Sequence, residues 1–295
     1  LIFIQAVSYD VTYTVKIDGT EVGTFTTPGA AADNNTISTT LVATDLAADI
    51  TAQTGYTAVA ERHVVYVTKD DDTDFTLEID DGRSNTLAKA FTSSVPDLSW
   101  LPTVGPNGYI VKVESDPSQT SDDRYLMFAT ADGSDIGDGS WSETIRPGIK
   151  YRLDEDTMPL VLYREADNKL HLGPADGATS GTYTFPQWAA RTAGDEETVP
   201  SPEFVGQKLR DQILFRGRYV VCGGRSISFS ESDDIFNFWQ DSAAAFTASD
   251  PFSLNTVSEL YSPLEWLIAI QENVYAFSAT GQFLCRSGGD AGVLT

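Results

Sequence analysis

Ile213-Leu214-Phe215-Arg216-Gly217-Arg218-Tyr219-Val220-Val221-Cys222-Gly223-Gly224, followed by Ile227-Ser228-Phe229-Ser230, is the stretch from which the fold is read. Apolar runs of strand length alternate with turns built from glycine and charge. That is the pattern of an antiparallel meander. Related units start on either side of it. Leu160-Val161-Leu162-Tyr163 precedes a polar turn and Lys169-Leu170-His171-Leu172. Leu267-Ile268-Ala269-Ile270 precedes Gln271-Glu272-Asn273, then Val274-Tyr275-Ala276-Phe277, a Thr280-Gly281 turn and Phe283-Leu284-Cys285. The starts at 160, 213 and 267 lie 53 and 54 residues apart. A short-strand repeat near 50 residues is the sequence form of a propeller blade, and roughly 4–8 blades close a propeller. Any antiparallel meander gives a related pattern, so this region is expected to be propeller-like and partial.

Toward the N-terminus the periodicity changes. Val11-Thr12-Tyr13-Thr14-Val15-Lys16-Ile17 alternates like a half-buried strand, and Asp18-Gly19 is a hairpin-turn dipeptide leading to a return strand over 21–27. Residues 38–53 then read as a helix. Val42, Leu46 and Ile50 recur on one face with Leu41 beside them, Ser38 or Thr39 caps the start, and Gly55 is placed to end it. Strands follow over 64–68 and 75–79. Pro96, Pro102, Gly105 and Pro106 suggest a boundary. Beyond it, strands are expected over 109–113, 124–129 and 141–145, with one short helix over 232–239. The fold class is thus mainly β. An α+β module (strand, strand, helix, strand, strand) occupies about 1–98, and an antiparallel, β-propeller-like region occupies about 99–295. The chain has no initiator Met and opens inside the strand-like run Leu1-Ile2-Phe3-Ile4. It reads as a piece of a longer protein.

With 41% hydrophobic residues the chain has ample material for a core and is not a disordered acidic tail. Its 19 Lys+Arg against 43 Asp+Glu give a net charge of −24. Such a surface repels nucleic acid and anionic membranes at long range, which argues against sequence-specific DNA binding. It fits two roles equally well: simple solubility, or a wall past which DNA slides without sticking. Cys222 and Cys285 lie in apolar strand-like runs and are expected to be buried free thiols, since two cysteines make no disulfide scaffold. No apolar run approaches a membrane span, and no basic stretch with a following apolar segment marks a signal peptide.

Several short signatures follow one another along the second half. They are Asp156-Thr157-Met158-Pro159, Phe185-Pro186-Gln187-Trp188-Ala189-Ala190-Arg191 with Gly194-Asp195, and Pro200-Ser201-Pro202-Glu203-Phe204-Val205-Gly206. Ser230-Glu231-Ser232-Asp233-Asp234-Ile235-Phe236-Asn237-Phe238-Trp239 and Ser249-Asp250-Pro251-Phe252 complete the series. In order and spacing the series resembles the tail tubular protein B family, the tail nozzle proteins of T7-like short-tailed bacteriophages. The Thr12-Tyr13-Thr14-Val15 and Asp18-Gly19 module is similar to one in those proteins. So are Asn107-Gly108-Tyr109 and the segment with Trp141, Glu143, Pro147 and Gly148. The stretch Arg216 to Cys222 is more interrupted by polar residues than the family strand, and family members are more than twice this length. The resemblance implies a structural virion protein assembled in the host cytoplasm. It implies a homo-hexamer, a sixfold ring below the portal and tail adaptor protein that continues the DNA channel. Tail fibres would dock on it, genomic DNA would pass it without sequence recognition, and the ring would gate ejection.

Chemical motifs are weak beside this. Asp70, Asp72 and Asp74 occupy calcium-loop positions, but Phe75 stands where the loop needs glycine and Asp81 where it needs Glu. A solvated turn is the expectation there, and an ordinary polar loop over 132–139. His63 and His171 lie in different modules, and there is no Gly-x-Ser-x-Gly elbow or phosphate-binding Gly-rich loop. The scattered His and Cys do not make a zinc site. Phe236-Asn237-Phe238-Trp239 is expected to pack inward, with an exposed binding patch as the alternative. Arg216, Arg218 and Arg225 suit either a loop surface or pairing with a neighbouring subunit's carboxylates. No catalytic, cofactor-binding or metal residue is assigned, and no cofactor is expected. The competing functional readings are a tail-associated glycan hydrolase, needing two converging carboxylates, and a glycan-binding propeller.

Overall fold

Val42, Leu46 and Ile50 share the buried face of α1 (Thr39–Thr51) in the computed structural model, as their spacing requires. The structure describes residues 1–29, 36–114, 118, 123–166, 168–256 and 262–285. Ser38 caps the helix, its Oγ accepting the Leu41 N–H at 3.0 Å. The helix ends on Ala52, so Gly55, at φ +93°, serves the turn into the next strand and not the cap itself.

The chain divides into two compact units, Leu1–Thr144 and Ile145–Thr295. In the first, β1 (Ile2–Ile4), β2 (Thr12–Ile17) and β3 (Thr20–Thr26) precede the helix. After it come β4 (Tyr56–Glu61), β5 (Val64–Lys69), β6 (Leu77–Asp80), β7 (Ala88–Ala90) and β8 (Ser94–Val95). They build a sheet ordered β4-β5-β1-β7 and another ordered β3-β2-β6. Asp18 and Gly19 both adopt positive φ in the β2–β3 turn, the conformation a two-residue hairpin loop demands. Tyr13, Val15 and Ile17 from β2 meet Ile2, Ile4, Val65 and the helix face in one apolar core. Gly23 sits where the helix crosses β3. A Cβ there would lie 3.1 Å from Ile50 Cγ1, a tight contact that glycine avoids, which lets the helix lie close to β3.

The same unit continues through β9 (Val104–Pro106), β10 (Ile110–Val113), β11 (Arg124–Thr130) and β12 (Ile136–Thr144). These form the sheet β8-β10-β11-β12-β9 over a second core containing Phe91, Val104, Val111 and Leu126. The Pro- and Gly-rich stretch 96–107 therefore contains an edge strand, the position at which Pro106 is tolerated. The compact unit runs past residue 98 to Thr144.

The second unit has no α-helix among its described residues; its helical element is a single 3-10 turn, Glu155–Thr157. A hairpin of β13 (Val161–Arg164) and β14 (Leu170–Gly173) is followed by the short pair β15 (Thr179–Ser180) and β16 (Tyr183–Thr184). A four-stranded meander comprises β17 (Leu209–Phe215), β18 (Arg218–Gly223), β19 (Ser226–Phe229) and β20 (Phe252–Asn255). A three-stranded one comprises β21 (Leu264–Ile270), β22 (Asn273–Ser278) and β23 (Gln282–Cys285). Of the repeat starts read from the sequence, 213 and 267 fall inside β17 and β21, the first strands of the two meanders, and 160 immediately precedes β13. The sheets are unequal in strand number, and a closed propeller is not formed among the described residues. Residues 232–239 are turns, not a short helix. Asp234 Oδ1 accepts the Phe236 N–H at 3.0 Å and Asn237 Oδ1 the Trp239 N–H at 2.8 Å. Such local side-chain acceptors outcompete helical bonding.

The two large meanders face each other. Ile213, Val220, Cys222, Ile227 and Phe229 of one pack on Leu267, Val274, Ala276 and Cys285 of the other. The opposite face of the first meander, with Val221 and Tyr219, packs on Trp188, Phe204 and Phe238. Strands buried on both faces explain the continuous apolar run Tyr219-Val220-Val221-Cys222.

Candidate assembly surfaces

The signature residues of the second half converge on one internal lock. Arg191 has a side chain with no solvent exposure, and its guanidinium lies 4.4 Å over the Trp239 ring. Its Nη2 donates to Glu196 Oε1 at 2.8 Å and to Ser201 Oγ at 3.3 Å. Trp239 Nε1 donates to the Ala189 carbonyl at 3.1 Å, closing the loop around the arginine. Gly194, at φ +70°, turns its carbonyl to the Arg146 N–H, and Asp195 Oδ1 accepts the N–H groups of Glu197 and Thr198. Phe238 and Trp239 are buried and Phe236 is half-buried, edge-on to Trp188 at 5.1 Å. The aromatic run is therefore packing and not an exposed patch.

The arginines behave likewise. Arg218 donates to the carbonyls of Ser230, Asp250 and Ala248, tying β18 to the loop before β20. Arg225 donates to the Thr256 carbonyl, and Arg216 forms an exposed pair with Glu272 at 3.3 Å. All three thus have partners inside the chain.

The acids work mostly on their own loops. Asp71, Asp97 and Asp132 are each held below the usual carboxylate range by the hydroxyl, and then the N–H, of the residue two positions on: Thr73, Ser99 and Ser134. Asp18 is lowered first by Lys69, at 2.7 Å, and then by the Thr76 N–H. Burial would raise Asp81, but N–H donors from Leu87, Arg83 and Asn85 outweigh it and lower its pKa. Burial also opposes Glu196, where Ser201 and Arg191 prevail. An acid catalyst needs its pKa pushed up; these six are pushed down. Asp70, Asp72 and Asp74 do not converge, and among the described residues no group of three or more His, Cys, Asp or Glu is placed to hold a metal. Both thiols are buried, which raises each pKa to about 11. A cleft of about 800 Å³ is lined by residues 148–155 with Met158, Phe204 and Trp239, among others. Asp154 within it caps a short turn through the Asp156 N–H.

Two sheet faces of the second unit present apolar side chains outward. On the β13–β14 hairpin, Leu162 faces Leu172 and Arg164 faces Leu170 across the strands, all on one side. Leu162, Leu170 and Leu172 are 63–64% exposed, with Leu160 close behind at 59%. The other side is anchored: Tyr163 stacks on Tyr183 at 3.8 Å, and Phe185 lies against Gly173. Leu160, Leu214 and Ile235 extend the exposed surface around a groove floored by Trp188 and Tyr219. On the β21–β23 meander, the side turned away from the core exposes Trp266, Ile268 and Ile270, with half-buried Tyr275 and Phe277 beside them. The leucines at alternate positions 160, 162, 170 and 172 were the sequence signal for the first face.

A β-rich body whose signature residues form a structural lock and whose conspicuous surfaces are apolar sheet faces is that of an assembly component. The family comparison agrees: the chain belongs to the bacteriophage nozzle protein family, whose model matches residues 1–295, and its place is the tail of the virion. It is similar to tail tubular protein gp12 of Escherichia phage T7, being 27% identical over 209 residues, 71% of this chain. Those residues cover 24% of the relative, so the chain spans about a quarter of that protein's length. Among the described residues no helix is long and apolar enough to cross a membrane.

Proposed function

We propose that this chain is a wall segment of the tail nozzle. Copies assemble as a homo-hexameric ring below the portal and the tail adaptor protein. The ring continues the DNA channel, gives tail fibres a docking surface and gates ejection. The family match over the whole chain supports the tail role. The observation that carries the channel reading is the net charge of −24, with acids held ionised by their own loops. DNA carries dense negative charge, and an acidic wall gives it no counterion-releasing contacts on which to stall. Within this reading the facing meanders β17–β20 and β21–β23 are successive blades of a propeller, supported by their shared core. The structural role also takes precedence over hydrolysis, which needs a carboxylate kept protonated.

Imaging of virion tails labelled with an antibody against this chain tests the reading. A ring of label at the distal tail, in six copies, is expected. Label absent from the tail, or in a copy number that does not fit a ring, refutes it.

A further inference from the structure

The two hairpins β13–β14 and β15–β16 bring a hydroxyl, an imidazole and a carboxylate into one chain of contacts. Tyr163 and His171 pair across β13–β14 on the side opposite Leu162 and Leu172, and this side meets Tyr183 of β16. His171 Nδ1 lies 3.2 Å from Ser180 Oγ at the end of β15. Its Nε2, shut off from water, lies 3.2 Å from Oε2 of Glu165, the residue after β13. Glu165 Oε1 accepts the Thr182 hydroxyl from the β15–β16 turn, and the Glu165 N–H donates to the Lys169 carbonyl at 2.9 Å. A carboxylate only accepts hydrogen bonds, so Glu165 draws the imidazole proton to Nε2. Nδ1 is then bare and accepts the Ser180 hydroxyl. The Nε2 contact is poorly aligned for a hydrogen bond, as catalytic contacts often are before substrate arrives. The base and the acid are mostly covered, with 13% and 15% of their side chains exposed, while Ser180, Gly181 and Thr182 are open to solvent. The N–H groups of Gly181 and Thr182 have no acceptor among the described residues.

We propose that Ser180 is an activated nucleophile and that the second unit carries, beside its structural role, an acyl-transfer activity toward esters of small acyl groups. His171 is the general base, and Glu165 is the positioning residue that fixes its tautomer. Ser180 Oγ attacks the ester carbonyl carbon and passes its proton to His171 Nδ1. The carbonyl oxygen becomes an oxyanion, which the Gly181 and Thr182 N–H groups are free to take up. As the carbonyl re-forms, the ester C–O bond breaks and the imidazolium returns the proton to the departing alcohol. The acyl group stays on Ser180 until water, activated by the same base, releases it as the free acid. The substrate class follows from the surroundings. Ser180 borders an exposed two-residue turn, which admits a small acyl group but does not orient a long chain. An amide, with its poorer leaving group, needs more orientation than such a surface supplies. The inference does not depend on the ring reading.

The test treats the whole chain with a fluorophosphonate probe, which bonds an activated serine oxygen to phosphorus and expels fluoride. Peptide mass spectrometry should place the label on Ser180, and p-nitrophenyl acetate should leave an acetyl group on the same residue. Ser180→Ala should remove both, with an unchanged melt because the residue is exposed. His171→Ala should slow labelling by about 100-fold or more. Free imidazole should then restore part of the rate, which a purely structural histidine would not allow. Should His171→Ala melt early, His171→Gln, polar but no base, replaces it in the rate comparison. Glu165→Asp should keep more of the rate than Glu165→Gln. A Ser180 that takes neither label nor acetyl, a His171 variant labelled at the full rate, no rescue by imidazole, or equal rates in the two Glu165 variants overturns the proposal. None of these outcomes touches the ring reading, which virion imaging decides by itself.

Discussion

Replacing Asp81 by Asn should cost the first unit much of its stability, and the loss should vanish in acid. Asp81 is 1% exposed, and its carboxylate gathers the N–H groups of Arg83 and Asn85, both at 2.8 Å, and of Leu87 at 2.7 Å. Leu87 in turn accepts the N–H groups of Gln5 and Ala6, so the loop staples the end of β1. An amide keeps one acceptor oxygen and presents an NH₂ group to a third N–H. The change removes a charge-assisted bond worth about 1.5–3 kcal/mol and leaves a donor without an acceptor at about 1–3 kcal/mol. The two overlap, so the net loss is about 2–4 kcal/mol. For a unit of this size that lowers Tm by about 5–15 °C at pH 7. Asp81 is more acidic folded than unfolded. Its stabilisation is therefore complete above the unfolded value, about 3.9, and is lost as pH falls through the lower folded value. Melting curves of the two proteins should converge as the pH is taken from 7 to 3. A shift under about 1 °C at pH 7, or a gap that stays constant into acid, would show that Asp81 does not bear this load.

Gly139→Ala should be among the most damaging small changes in the chain, because the new Cβ would lie 2.1 Å from the Ala129 carbonyl oxygen and 2.8 Å from Phe128 Cζ. Soluble yield and Tm should both collapse, and an unchanged melt would contradict the β11–β12 register. Arg191→Met should destabilise the second unit by about 2–4 kcal/mol, and Arg191→Lys should not fully rescue it, since an ammonium lacks the flat guanidinium that lies over the Trp239 ring while Nη2 reaches Glu196 and Ser201; denaturant titration reads both. Cys222 and Cys285, held neutral by burial, should react with a thiol reagent at the rate of unfolding and not in the native state. Because their folded pKa values of about 11 exceed the unfolded ones, stability should fall as pH rises from about 9 toward 11.

Local chemistry in the sequence located the helix and the main hairpins. Val42, Leu46 and Ile50 can share a buried face only on a helix, and Asp18-Gly19 suits only a tight hairpin. Long-range pairing was less legible. Val104-Gly105-Pro106 looks like loop material, and only its pairing with Ile136, Gly137 and Asp138 makes it a strand. Residues 232–239 have helical spacing, but Asp234 and Asn237 spend their side chains on nearby N–H groups. The assembly faces were half visible. Leu160-Val161-Leu162 and Lys169-Leu170-His171-Leu172 announce a strand pair with an apolar side, yet sequence alone does not distinguish a side covered within the chain from one left open.

The chain has two histidines and two thiols, and the thiols ionise only near pH 11. Six of its acids have been moved further from neutrality, most by their own turns, Asp18 chiefly by Lys69 and Glu196 by Ser201 and Arg191. Little is left to titrate across the middle of the pH scale. The surface potential is thus nearly a constant of the molecule, the same in a mildly acidic medium as in a mildly alkaline one. Whatever this protein repels or admits, ionic strength is the variable that modulates it, and proton concentration is not.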